Sequence, residues 1–199
     1  MSKPRQVVIF LFDDIEDLDF VGPLEVFACY GRPHKEGFFE IATVSRNKGP
    51  IRTRNGLNIQ PGYSFGNCPQ ADILVVPGGQ GSRREIENPE SVAWVKRQAE
   101  RAELVLSVCT GALLLAKAGL LEGLGATTHF NAMDMLAGLA PTADVRPGER
   151  FIDNGRIIVS AGVSAGIDAA FHILARLFGP EQAGQAAMYI EYEYYRPAV

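Results

Sequence analysis

No stretch of this sequence is apolar for anything like the roughly 20 residues a membrane-spanning helix needs. Cysteine is scarce. The three present, Cys29, Cys68 and Cys109, are odd in number, widely spaced and without a CxxC pair. That spacing supports neither a disulfide framework nor a zinc site, and a reducing cytoplasm is the expected setting. Basic charge is not in excess: 19 Lys and Arg stand against 23 Asp and Glu, a net charge of -4. A nucleic-acid partner is therefore not expected. Neither a GxGxxG fingerprint nor a Walker loop occurs, so no nucleotide cofactor is implied. The opening "MSKPRQVVIFLFDD" turns acidic directly after its apolar run and has no small-residue cleavage site, so it reads as a strand rather than a signal peptide. No linker, repeat or low-complexity stretch interrupts the 199 residues, which are expected to form one domain over 1–199.

Composition is that of a globular chain, 47% hydrophobic and 21% charged, with mean hydropathy +0.02. "QVVIFLF", "FFEIATVS", "ADILVVPGG" and "ELVLSV" are short apolar runs rich in β-branched residues, as in strands buried on both faces. Between them, "FVGPLEVFACYG" and "PESVAWVKRQAERA" read as helices. Pro23 stands near the first turn of the former and Gly31 just past its end. Asn55-Gly56 and Asn154-Gly155 each sit between alternating residues and predict two hairpins. The helix "TGALLLAKAG", a strand "GATTHF" and a short helix around "NAMDMLAGLA" follow the fourth run. A long helix from after Ser164 to Gly179 and a last one over "PEQAGQAAMYIEYEYY" complete the pattern. Strands alternating with helices predict an α/β fold: a doubly wound, mostly parallel sheet with helices on both faces.

Cys109 stands where "ELVLSV" meets "TGALLLAK", a strand-to-helix elbow. In an open α/β sheet, sites form beyond the carboxyl ends of the strands. Free N–H groups and the positive end of the helix dipole there favour thiolate over thiol. Position alone admits two readings, a nucleophile or a small buried hydrophobe. Cys29, on an apolar helix face, and Cys68, before a proline, lack this setting and are expected to be structural.

A reactive thiol needs a partner. Five of the eight residues of "DDIEDLDF" are acidic. Asp13, Asp14, Glu16 and Asp17 read as a solvated run. Asp19, between Leu18 and Phe20, reads as drawn inward, where a carboxyl's pKa rises and it can exchange protons near neutrality. Glu25, inside the helix, is expected to be exposed or structural. Of the histidines, His34 and His172 read as structural. His129, at the end of "GATTH", could approach Cys109 or could hold a loop. The glycines of "PGGQG" could turn backbone N–H groups toward an oxyanion.

"FDDIEDLDFVGPLEVF", "ILVVPGGQG", "SVCTGALLLAKAGLLEGLGATTHF" and "AGVSAGIDAAFHI" together resemble the ThiJ/PfpI superfamily, with its type 1 glutamine amidotransferase-like fold. Within it they are most similar to the bacterial isocyanide hydratases, over about Val7 to Tyr192. The resemblance implies Cys109 as nucleophile, Asp19 as acid/base where most of the superfamily has glutamate, and Thr110 as the residue after the nucleophile. It implies Gly78 and Gly79 as the loop whose amides face the site. It further implies a homodimer, a small-molecule substrate and neither metal nor organic cofactor. The implied reaction hydrates an isocyanide to an N-substituted formamide. Glyoxalase or deglycase chemistry and cysteine-based redox sensing are the alternatives. Thr110 stands where the protease-like branch has histidine, which counts against peptidase activity. AraC-type regulators carry a similar domain followed by a helix-turn-helix. No basic helical segment follows here before Val199, so such a regulator is not expected unless the sequence is a truncated one.

Overall fold

The computed structural model describes residues 3–31 and 38–193, which leaves His34 outside the described residues. β1 (Arg5–Phe10) runs through the acidic segment into α1 (Asp17–Tyr30), and β2 (Phe39–Ser45) follows. The hairpin β3 (Ile51–Arg52) and β4 (Asn58–Ile59) precedes the short strand β5 (Tyr63–Ser64). β6 (Ile73–Val76) then leads to α2 (Ser82–Glu85) and α3 (Pro89–Arg101). β7 (Leu104–Val108) meets α4 (Gly111–Lys117) at the elbow. β8 (Gly125–Ala126), α5 (Met133–Leu139) and β9 (Asp144–Val145) come next. β10 (Phe151–Asp153), β11 (Ile157–Ser160), α6 (Ala165–Phe178) and α7 (Pro180–Tyr189) complete the described elements.

The main sheet has the order β10-β11-β7-β6-β1-β2-β5. Every neighbour pair is parallel except β10 with β11. From β1 the chain steps to β2 on one side, and from β6 it steps to β7 on the other. Right-handed crossovers in opposite directions place their helices on opposite faces. Accordingly α1, α6 and α7 pack together as one layer, and α2, α3, α4 and α5 as another. This is the doubly wound α/β fold read from the sequence. Its core is made of the strands themselves: Val7 to Leu11, Ile73 to Val76 and Leu104 to Leu106 are buried on both faces.

Both Asn-Gly signals mark real turns. Gly56 and Gly155 have φ of +94° and +82°, values that glycine reaches without a Cβ clash. Two expectations need correction. α1 begins at Asp17, so Pro23 lies inside the helix rather than near its start. The acidic residues ahead of it, favoured at a helix N-terminus, extend the helix backward. "GATTHF" is not a strand of the main sheet: only Gly125–Ala126 pairs, with β9, and Thr127, Thr128 and His129 are irregular. Their backbone leaves strand geometry to wrap the elbow, where the Thr128 hydroxyl meets the Cys109 carbonyl.

Candidate active site

β7 delivers Cys109 to the carboxyl edge of the sheet with φ +55°, a value that L-residues other than Asn and Asp seldom adopt. The turn is over-determined. The Cys109 N–H is shared between the Ser160 and Ala161 carbonyls at 3.2 and 3.0 Å. The Thr128 hydroxyl donates to the Cys109 carbonyl at 2.7 Å. On the helix side Gly111 lies against β6: a Cβ added there would sit 1.9 Å from the Val76 carbonyl oxygen. That oxygen is backbone and cannot swing away, so Gly111→Ala should cost about 3 kcal/mol or more of stability. Denaturant unfolding would measure it; a midpoint equal to that of the unchanged protein would contradict this account of the elbow.

Asp19 is fully buried, whereas its acidic neighbours reach solvent or surface partners. Asp13 accepts from the Arg52 amide, Asp14 pairs with Arg84, and Asp17 accepts from Asn55. Asp19 Oδ2 accepts the Gly78 N–H at 3.0 Å. Its other oxygen, Oδ1, has no well-aligned hydrogen bond although it is buried. The Cys109 thiol and the Val163 amide lie close enough to favour the carboxylate, but burial outweighs them and raises Asp19 to about 7. Cys109 departs from expectation. The Thr110 and Val163 amides do favour thiolate, yet burial and the facing Asp19 charge push the thiol up to about 12. The low pKa expected from the helix terminus is thus overridden by dehydration and a like charge. The pair holds one proton between about 7 and about 12.

Gly78 and Gly79 stand at the site, but their amides are already engaged. The Gly78 N–H is on Asp19, and the Gly79 N–H donates to the Thr110 hydroxyl at 2.9 Å. They therefore act through Asp19 and Thr110 and are not free to face an oxyanion. There is no room for a side chain at Gly78, where a Cβ would lie 2.4 Å from the Thr110 nitrogen. Ser82, fully buried, donates to the Gly79 carbonyl at 2.8 Å and lies 3.0 Å from the Thr110 hydroxyl. Sequence reading missed it: a serine just past a glycine loop carries no periodic signal.

His129 makes no hydrogen bond to the pair. Its Nδ1 accepts from the Asn131 amide at 3.3 Å, and its ring lies against Gly162 and Phe130. It holds a loop, one of the two roles its position allowed. His172 pairs with Asp153 on the surface at 2.7 Å. Cys29 donates to the Val26 carbonyl and Cys68 accepts from Gln98, as structural cysteines do.

Val163 was also missed. It has φ +53°, a strained value for a β-branched residue that costs about 1–3 kcal/mol. Its amide faces Asp19 and Cys109. Beside it, a cavity of about 310 Å³ is lined by Thr128, His129, Phe130, Met133, Arg150 and Val163, among others. It reaches the pair through Val163 and Thr128, with neither Cys109 nor Asp19 in its lining. A smaller cavity, about 120 Å³, sits at the ends of β1 and β2 and also lacks both.

A buried cysteine at a strained strand-to-helix elbow, paired with a carboxyl from the helix after β1, defines the class. Residues 5–176 match the DJ-1/PfpI family, and the chain belongs to it. It is 33% identical to the isonitrile hydratase of Pseudomonas putida, over 94% of this chain and 78% of that protein. It is 29% identical to a deglycase of Pyrococcus abyssi over 65% of this chain and 75% of the relative. Among solved structures, a ThiJ/PfpI family protein from Pseudomonas syringae matches with TM-score 0.87 and 30% identity. That match covers 98% of this chain and 78% of the other.

Proposed function

We propose that this protein is an isocyanide hydratase, with Cys109 as nucleophile and Asp19 as acid/base. The observation that carries the reading is the buried Cys109–Asp19 pair, in which the thiol faces the carboxylate and the two hold a single proton between them. An isocyanide carbon needs what such a pair offers, a sulfur and one proton. As the C–S bond forms, the thiol proton passes through Asp19 to the same carbon, giving a thioimidate, R–N=CH–S–Cys109. Asp19, now a carboxylate, takes a proton from water as the oxygen adds to that carbon, and the proton goes on to nitrogen. Loss of the sulfur from carbon, with a proton returned to it from the new hydroxyl, releases R–NH–CHO and restores the pair. The Thr110 and Val163 amides face the sulfur and stabilise the charge it carries on arrival and departure. The reading is supported by the similarity to the isonitrile hydratase. The cavity beside Val163 has room for the nitrogen substituent.

In parallel incubations the purified protein is expected to turn cyclohexyl isocyanide into its formamide and to leave methylglyoxal unchanged. Peroxide should oxidise Cys109 only slowly, because the buried thiol keeps its proton. Methylglyoxal consumption in place of formamide would favour the deglycase reading, and oxidation alone a redox sensor.

The pH dependence follows from the pair. Attack needs Asp19 ionised to receive the thiol proton, and Asp19 sits at about 7. The rate kcat/KM should therefore rise through about 7 and hold a plateau on the alkaline side, where the thiol at about 12 still keeps its proton. A profile that falls as pH rises through about 7 would refute the carboxylate's role.

A homodimer belongs to the same proposal. Leu18 and Val21 on α1 expose apolar surface next to the site, at 37% and 40%. Light scattering at micromolar concentration should give twice the 21.6 kDa chain mass; a monomer mass would contradict it.

A further inference from the structure

Arg150 touches the chain on both sides of Val163. Its carbonyl accepts the Ala161 N–H at 2.9 Å. Its guanidinium Nη2 donates to the Ser164 hydroxyl at 3.1 Å. The guanidinium is itself fixed: Nε and Nη2 both lie on Asp168 Oδ2, at 2.6 and 2.5 Å. Asp168 is 1% exposed and lies one helical turn beyond Ser164 on α6. Its other oxygen accepts from the Tyr192 hydroxyl at 3.3 Å. Between the two anchor points, Gly162 is pressed against the His129 ring and Val163 holds its positive φ. A β-branched residue left to itself would leave that conformation, and its N–H would turn away from the sulfur and the carboxylate.

We propose that Arg150 is a positioning residue: by gripping Ala161 and Ser164 on either side of Val163, it keeps the strained Val163 amide aimed at the Cys109–Asp19 pair. The guanidinium of arginine suits this task because its planar fork serves a carboxylate and a hydroxyl at once, which the point charge of lysine does not. The inference rests on the pair being the reactive centre and not on which substrate it takes.

The test reads Asp19 directly, by NMR titration of its side-chain carboxyl carbon in carbon-13-labelled protein. Cys109 and Glu16 are the titratable groups that act on this carboxyl. In Arg150→Gln and in Ser164→Ala the midpoint should move up by about one pH unit as the Val163 hydrogen bond is lost. Ser164→Ala removes only the hydroxyl anchor and leaves every charge in place, so it answers even if Arg150→Gln, which leaves Asp168 unpaired, fails to fold. Glycine takes a positive φ without strain. In a Val163→Gly background, therefore, neither substitution should move the midpoint, a cycle that isolates the coupling. With an isocyanide, Ser164→Ala should lower kcat about tenfold and change KM by less than about threefold. An unmoved Asp19 midpoint in Ser164→Ala overturns the proposal. So does a shift that persists in the Val163→Gly background, or a raised KM with kcat intact, which would make Arg150 a substrate contact. Absence of isocyanide turnover with the NMR pattern intact would count against the hydratase reading alone.

Discussion

Asp19→Asn is expected to lower kcat/KM for an isocyanide by about 10²–10⁴-fold while making the folded protein more stable in alkaline solution. The two effects share one cause. Burial raises Asp19 from an ordinary 3.8 to about 7, so the folded protein holds its proton more tightly than the unfolded chain does. The stability gained from the neutral carboxyl is complete below about pH 4 and is lost as pH rises through about 7. Above that, the folded state carries a buried carboxylate whose hydrogen bonds from Gly78, Cys109 and Val163 do not make up for its lost hydration. A shift of this size corresponds to about 4 kcal/mol at most. The amide has nearly the same shape, can still accept the Gly78 N–H, and has no charge to bury. Its stability advantage should be largest near about pH 8 and shrink toward about pH 5. Asp13→Asn, Asp14→Asn and Asp17→Asn should change the rate only slightly, since those carboxylates are held at the surface by Arg52, Arg84 and Asn55. Rates with denaturant midpoints at both pH values check this. An Asp19→Asn protein of near-normal rate, or of lower stability on the alkaline side, would remove Asp19 from the acid/base role.

Cys109→Ala should abolish formamide formation altogether. Without sulfur no carbon–sulfur bond forms, and none of the remaining groups offers another nucleophile: Ser82 and Thr110 are tied to each other and to the Gly79 carbonyl. Alanine at φ +55° meets the same backbone strain as cysteine, so the elbow and its bonds to Ser160, Ala161 and Thr128 should persist. The melting temperature is expected to stay within a few degrees while turnover falls to the rate without enzyme. Cys109→Ser should behave alike, because a hydroxyl resists ionisation in this buried setting even more than a thiol. Residual turnover by the alanine variant would show that the sulfur is not the nucleophile.

The sheet was legible because runs such as Ile73 to Val76 are too short and too β-branched for helices and are apolar on both faces. The two hairpins were legible from Asn-Gly chemistry, which acts over a few neighbouring residues. Asp19 was read as buried from its neighbours Leu18 and Phe20, and the placement holds for a different reason. In the helix that begins at Asp17, residues three and four apart share a face, and Asp19 stands in line with Gly22, Pro23 and Val26, all buried, while Leu18 faces out. What sequence could not supply was set by distance through space. The thiol is pushed up rather than down first because the fold buries it, and then because α1 brings a carboxylate to it from a remote part of the chain. Gly78 and Gly79 lost their expected role because Asp19 and Thr110 reach their amides first. Ser82 and the strained Val163 left no mark, since neither a cap nor a turn residue announces them.

The measurement that tests the account most directly is the mass of the Cys109 peptide after acid quench during turnover of cyclohexyl isocyanide. The account predicts a peptide heavier by one whole isocyanide, the thioimidate, which disappears as formamide accumulates and is absent from the Cys109→Ala protein. Formamide formation with an unmodified Cys109 peptide at every time of quench, or an adduct on any other residue, would contradict it.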